Sequence, residues 1–244
     1  MEILGIDIGG SGIKGAPINI ETGKLLSERI RIPTPEPSSP DNVATILADI
    51  IKHFKWSGPV GSGFPAVVNN GKIFTASNID KKWIGTNASE LFKKSTGCDF
   101  VVINDADAAG IAEMEYGAGR ENQGVVFVIT VGTGIGTALF SKGRLVPNTE
   151  LGHIILKDMI AERYCSDAIR KSENLSWKKW SNRFNDFLAE IERLFWPDLI
   201  IIGGGISKKH SKFSHHLEIK TKVVAAHLRN EAGMVGAAMA TKYL

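Results

Sequence analysis

Residues Ile6–Ala16 read IDIGGSGIKGA, and residues Ile129–Leu139 read ITVGTGIGTAL. Each is an apolar run, a glycine turn carrying a hydroxyl residue, and a second apolar run, the pattern of a buried strand that turns tightly and returns. One such turn alone reads most simply as a structural hairpin. Two alike, in different halves of the chain, read as an internal repeat whose turns hold a phosphate chain from two sides, because glycine lets backbone N–H groups come close to anionic oxygens. A third glycine cluster at Gly203–Gly205 supports that reading. None of these segments fits GxxxxGK[ST] or opens a helix as a dinucleotide fingerprint must, which argues against a P-loop or Rossmann fold.

Working outward from the first turn, strands are expected at Met1–Ile8, Ile13–Ile20 and Lys24–Ile32, with a turn at Glu21–Gly23. RIPTPEPSSP, Arg31–Pro40, then holds four of the nine prolines and should be extended and stiff, either a connector into a helix capped by Asp41 or, through the hydroxyls of Thr34, Ser38 and Ser39, a segment that binds a ligand. Val43, Ile46, Leu47, Ile50, Ile51 and Phe54 recur there at helical spacing. Short strands follow at Val60–Gly63, Ala66–Asn69 and Lys72–Thr75, with Asn70-Gly71 as a hairpin turn. A helix near Asn87–Ser95, a strand at Phe100–Ile103 and a helix at Ala106–Tyr116 put Asn104 and Asp105 at a strand's C-terminal end, where open α/β sheets gather ligands.

Around the second turn the spacing predicts strands at Val125–Val131, Ile135–Phe140 and Arg144–Pro147, with a turn at Lys142-Gly143. Helices are expected at Ala161–Lys171 and Ser176–Phe195, then a strand at Leu199–Ile202 and a Gly/Ala-rich closing helix at Glu231–Tyr243 suited to close packing. The expectation is an α/β chain of two lobes, 1–104 completed by 231–244, and 105–230.

Hydrophobic residues make up 43% and charged residues 23%, values of a folded chain, and a net charge of +3 makes no demand for a nucleic-acid or membrane partner. No apolar run approaches the roughly 20 residues of a membrane span, so a cytoplasmic protein is expected. The two cysteines, Cys98 and Cys165, argue against a disulfide scaffold or sulfur-rich zinc site and read as packing residues.

With DIGGSGIKG (Asp7–Gly15), NDADAAGIAE (Asn104–Glu113), TVGTGIG (Thr130–Gly136), ELGH (Glu150–His153) and GGGIS (Gly203–Ser207) in place, the chain resembles the ROK family of sugar kinases and sugar-responsive repressors. That resemblance implies a two-lobed actin/hexokinase-like (ribonuclease H-like) ATPase fold with a mixed sheet in each lobe. Within the family, TPEPSSP, SNIDKKWIG (Ser77–Gly85) and GGGISKKHSKF (Gly203–Phe213) look most like the members that phosphorylate glucose at its 6-hydroxyl with inorganic polyphosphate, or with ATP. One departure stands out. Many members follow ELGH with a cysteine-rich zinc loop, whereas IILKDMIAERYCS offers only Cys165, so no structural zinc is expected.

Phosphoryl transfer to a hydroxyl needs positioning, charge stabilisation and a base for the proton. The resemblance implies Asp105 as that base; its local reading is a helix cap. Asn78, Asn104, Asp105, Glu150, His153 and Glu162 are implied for the sugar, since adjacent hydroxyls call for several carboxylates and amides. Glu162 follows from the E-x-x-x-S pattern to Ser166. His153 also reads as a turn histidine, and Glu162 as a solvated helix-start carboxylate. For the donor the implied residues are Gly9, Gly10, Ser11, Gly12 and Lys14 on one lobe and Gly132, Thr133 and Gly134 on the other, with Gly203, Gly204 and Gly205 near an adenosine. Lys14 equally suits an exposed strand position. No metal ligand is direct, but Asp7 is implied to orient water around Mg²⁺.

Lys208, Lys209, His210 and Lys212 form a candidate polyphosphate track or a solvated loop. The aromatic load of Ser176–Phe195 suits either core packing or the homodimer contact common in the family. An ATP-only hexose or amino-sugar kinase, and a non-catalytic sugar-binding regulator, are the alternatives. The regulator is disfavoured by the intact Asp105 and by a first strand that begins at Met1, where family regulators carry a helix-turn-helix.

Overall fold

In the computed structural model, which describes residues 1–77 and 79–242, the first glycine turn joins β1 (Glu2–Gly9) to β2 (Gly12–Asn19) in an antiparallel pair. Asp7 lies opposite Lys14, and Gly9 opposite Gly12. β2 also pairs antiparallel with β3 (Lys24–Leu25) and with β4 (Ile30–Ile32). On its other side β1 runs parallel to β5 (Val60–Phe64), which runs parallel to β8 (Phe100–Asn104). Between β5 and β8 come the hairpin β6 (Val68–Asn69) and β7 (Lys72–Ile73), turned at Asn70-Gly71 with both φ positive, and α2 (Ala88–Thr96). Asp105–Tyr116 forms α3.

The second turn repeats this plan. β9 (Val125–Val131) and β10 (Ile135–Ser141) are antiparallel, β11 (Arg144–Val146) extends the meander, and β14 (Leu199–Gly203) and β15 (Lys222–Ala225) add in parallel beyond β9. The strand orders β3-β2-β1-β5-β8 and β11-β10-β9-β14-β15 therefore correspond strand for strand, and the repeat seen in two eleven-residue stretches extends through two whole mixed sheets. The chain divides into two compact units, Met1–Ala112 with the closing segment from Glu231, and Glu113–Asn230.

Each unit has its own core. In the first, α1 (Pro40–Phe54) buries Val43, Ala44, Leu47, Ile50 and Ile51 with Phe64, Trp83 and Phe92. α7 (Ala232–Ala240) is buried on nearly every side, as a helix that is apolar all round must be. Its glycine and alanine content has a measurable cause: a Cβ on Gly236 would lie 1.6 Å from the carbonyl oxygen of Ala108, and one on Gly61 1.8 Å from that of Ala237. In the second unit α6 (Trp177–Phe195) puts Trp180, Phe184, Phe187, Leu188 and Ile191 into the core with Phe213. Core packing thus accounts for most of its aromatic load. Cys98 and Cys165 are both buried in the cores, and burial pushes the Cys165 thiol up to about 12.

Several boundaries differ from those expected. Ser39 rather than Asp41 caps α1, its Oγ accepting from the Asn42 amide; Pro40 takes the first helical position, where its missing N–H costs nothing. The expected strand Lys24–Ile32 is two short strands: past Leu26, whose N–H still donates to the Pro17 carbonyl at 2.8 Å, regular pairing with β2 stops until Ile30. The expected helix Ala161–Lys171 is broken by extended Ser166 into α4 (Ala161–Cys165) and α5 (Asp167–Ser172). β15 and the hairpin β12 (Ile155–Leu156) with β13 (Met159–Ile160) were not anticipated, their apolar runs being too short to stand out. Among the described residues no helix is long and apolar enough to cross a membrane.

Candidate active site

In the first unit the turn between β1 and β2 leaves Gly10 and Ser11 exposed. Asp7, 16% exposed, holds the Lys14 ammonium at 2.7 Å. The lysine expected to meet phosphate is thus spent on the carboxylate expected to orient Mg²⁺. Two residues of the proline segment lie on the same turn: Arg31 Nη2 donates to the Ser11 carbonyl at 2.6 Å, and Thr34 Oγ1 donates to the Gly9 carbonyl at 2.5 Å. At the segment's far end, Ser38 Oγ accepts from the Asp80 amide at 3.2 Å and its carbonyl accepts from Trp83 Nε1 at 2.9 Å. RIPTPEPSSP is therefore a strap fixed at both ends, joining the glycine turn to Asp80 and Trp83. Asn78 lies outside the described residues.

At the β8–α3 junction Asn104 Oδ1 accepts from the amides of Ala106 and Asp107, at 2.8 and 3.0 Å, while its Nδ2 donates to the Ala66 carbonyl at 3.0 Å. Asn104 thereby caps α3 and ties β8 to the β5–β6 loop. Asp105 heads α3 and is half-buried, and its Oδ1 accepts from Ala106 N at 2.8 Å. That places a half-buried carboxylate at the C-terminal end of β8, held by the first amide of its own helix. Asp107 is 2% exposed and turned inward.

In the second unit the Gly132–Gly134 turn closes on itself, Gly132 N donating to the Gly134 carbonyl at 3.0 Å, and α5 docks on it through Ala168 N to the Gly132 carbonyl at 3.1 Å. Thr133 stands exposed at the tip. Gly204 has φ of 72°, and a Cβ there would meet Val131 backbone at 2.6 Å, so only glycine fits. The basic run after it divides. Lys209 Nζ lies 5.8 Å from the Trp177 ring centroid and His210 packs edge-on to Phe213, while Lys208 and Lys212 face solvent. Half of the candidate track is thus bound up with the unit's own aromatic cluster.

Glu150, His153 and Glu162 come together in this unit. The short helix Leu151–His153 sits against β10, where a Cβ on Gly152 would be 2.0 Å from the Ile135 carbonyl and Leu151 N donates to Thr137 Oγ1 at 3.2 Å. His153 Nδ1 is 3.4 Å from Glu150 Oε2, and its Nε2 is 3.8 Å from Glu162 Oε1 on α4. Burial, with Glu162 adding to it, raises the Glu150 pKa, and His153 opposes the rise. Ser166, which completes the E-x-x-x-S pattern, caps α5 through Ile169 N. An imidazole between two carboxylates offers donors and acceptors on one face, as vicinal hydroxyls require. Among the described residues no group of three or more His, Cys, Asp or Glu is arranged to hold a metal ion.

Residues 3–169 match the ROK family, and over 98% of its length the chain is 46% identical to the polyphosphate glucokinase of Mycobacterium tuberculosis, 90% of which is covered. The chain belongs to the ROK family. Among solved structures, the inorganic polyphosphate/ATP-glucomannokinase from Arthrobacter sp. strain KM superposes with a TM-score of 0.96 at 43% identity, over 99% of this chain and 98% of that one. A ROK family glucokinase from Streptomyces griseus, solved with glucose and AMPPNP, matches over the whole of both chains with a TM-score of 0.83 at 22% identity, a likeness of fold. The actin/hexokinase-like α/β fold expected from the motifs is the one observed.

For this ROK chain the fold brings two further side chains, Arg31 and Thr34, onto the first glycine turn. Arg31 and Thr34 looked like parts of a connector, and their contacts with the glycine turn arise only because β4 pairs with β2 beside it. The signal was present in the alternation Ile30-Arg31-Ile32, which puts Arg31 on the opposite face from its neighbours.

Proposed function

We propose that this ROK protein is a glucokinase that transfers a phosphoryl group from inorganic polyphosphate, and alternatively from ATP, to the 6-hydroxyl of glucose. The observation that carries this is the 46% identity along 98% of the chain to a polyphosphate glucokinase. Asp105 takes the proton of the attacking hydroxyl, a role supported by its fixed position at the head of α3. Asn104 holds the α3 cap in register beside it. Asn78, Asn104, Asp105, Glu150, His153 and Glu162 are assigned to the sugar hydroxyls.

Gly9–Gly12 and Gly132–Gly134 receive the donor's phosphates through their backbones. Gly203–Gly205 takes the adenosine when ATP serves. The Asp7 carboxylate, partly exposed on the strand that leads into the glycine turn, is the group assigned to a water-mediated place beside Mg²⁺, which it would share with its Lys14 partner. Bound there, Mg²⁺ would offset charge on the donor phosphates. A homodimer working in the cytoplasm belongs to the same proposal, and sedimentation velocity of the purified chain tests the assembly. The reaction is tested by initial rates with polyphosphate and with ATP, each against glucose, mannose and glucosamine. Transfer from ATP alone would leave an ATP-dependent sugar kinase, and no transfer from either would remove the assignment.

A further inference from the structure

Arg31 has no task in the reaction as described, yet its exposed side chain lies across the first glycine turn. Nη2 reaches the Ser11 carbonyl at 2.6 Å and lies 3.4 Å from Ser11 Oγ. The guanidinium rests so flat on Gly12 that a Cβ there would be 2.6 Å from its Cζ, Nε and Nη2. Both contacts of Nη2 are with the turn itself, and among the described residues no hydrogen bond takes up Nε or Nη1, whose donors can reach a ligand. Lys14, the other cation beside this turn, is held by Asp7 at 2.7 Å.

We infer that Arg31 is a ligand of the donor's phosphate chain, meeting it on the Ser11–Gly12 face of the turn. This rests on the reading that the turn receives such a chain. A guanidinium suits the task because it stays charged and presents a planar fork that matches two phosphate oxygens. The strap makes it ready before the donor arrives. Thr34 on the Gly9 carbonyl and Ser38 on Asp80 and Trp83 fix the segment on both sides, so little side-chain and backbone entropy is lost on binding. The prolines suit this segment because, past its short pairing with β2, its hydrogen bonds run through side chains and carbonyls to the turn and to Asp80 and Trp83, where a missing backbone N–H costs nothing.

The test is calorimetric titration of the intact protein with tripolyphosphate, in the absence of glucose, for the wild type, R31Q and R31K. Glucose affinity and thermal midpoint are measured alongside. Losing a charge-assisted pair should weaken tripolyphosphate binding roughly tenfold or more in R31Q. R31K should recover part of that, while glucose affinity and the thermal midpoint stay at wild-type values. R31Q binding tripolyphosphate within twofold of the wild type would overturn the assignment of Arg31 while leaving the kinase reading intact. A fall in thermal midpoint with unchanged affinity would overturn it too, making Arg31 a brace of the turn. A wild type that binds no tripolyphosphate and transfers no phosphate would take down both readings.

Discussion

Asn104 Oδ1 accepts the Asp107 amide at 3.0 Å, so the residue before Asp105, and not Asp105 itself, caps α3. The two readings that a sequence leaves open for an aspartate at a strand-to-helix junction are thereby separated between neighbours. D105N should keep the fold, because an asparagine oxygen can still accept from Ala106 N. It should lose about 10²- to 10⁴-fold in kcat, the range for a general base, with glucose affinity little changed. Steady-state rates and glucose titration check this; near-normal turnover would remove Asp105 as the base.

Asn104 is the complementary case, since its side chain serves two amides and one carbonyl while only 6% exposed. N104A should cost about 2 kcal/mol of stability through the lost cap and the stranded Ala66 carbonyl. N104D keeps an acceptor for the helix amides but places a carboxylate against that carbonyl, so it should not restore the wild-type value. Urea denaturation of the three proteins provides the comparison.

The packing of α7 predicts a sharper loss. Gly236 lies so close to the Ala108 carbonyl that a methyl group has nowhere to go, both partners being backbone. G236A should cost about 3 kcal/mol or more, the upper end for overpacking, and should lower the yield of folded protein. Thermal melts of the two proteins check this, and a G236A protein that melts with the wild type would mean that α7 shifts freely on its sheet.

Glu150 gives a dependence on pH. Burial raises its pKa in the folded state, so between the unfolded value and the folded one the native protein holds more of this proton than the unfolded chain does. Its contribution to stability is present in full below the ordinary carboxylate value and is lost as pH rises through the raised one. E150Q removes that loss. Denaturation curves taken upward from about pH 4.5, near the ordinary glutamate pKa, should show the wild type falling relative to E150Q and then running parallel to it. Parallel curves throughout would mean that Glu150 titrates alike in both states.

What the sequence revealed and what it hid follow from the range of the forces involved. The glycine turns, β9, the Asn70-Gly71 hairpin and the buried face of α1 depend on residues a few positions apart, and a periodicity or a turn preference records them. The cap of α1 was misread by two residues because Ser39, Pro40 and Asp41 are all good helix-start residues, and only the observed hydrogen bond to Asn42 N separates them. The contacts of the strap were hidden for a different reason. Arg31 meets Ser11 twenty residues away, and Ser38 meets Trp83 forty-five residues away, contacts that depend on how strands pair rather than on local pattern. The Glu150–His153–Glu162 cluster was reached only by resemblance, since nothing in its spacing says that α4 folds back over the short helix at Leu151–His153.

Gly12 offers a test of the glycine turn that leaves Arg31 itself unchanged. Its backbone needs no positive φ, so the usual reason for glycine in a turn does not apply; what a Cβ would strike is the Arg31 guanidinium, at 2.6 Å. That group is the end of a flexible side chain and can move. G12A should therefore fold and melt nearly as the wild type does, but with the guanidinium pushed off the Ser11 carbonyl. If that placement matters to donor binding, G12A should raise KM for polyphosphate and for ATP together, leave KM for glucose alone, and add little when combined with R31Q. Independent, additive effects in the double variant would show that Gly12 serves the donor through its own backbone and not through the arginine above it.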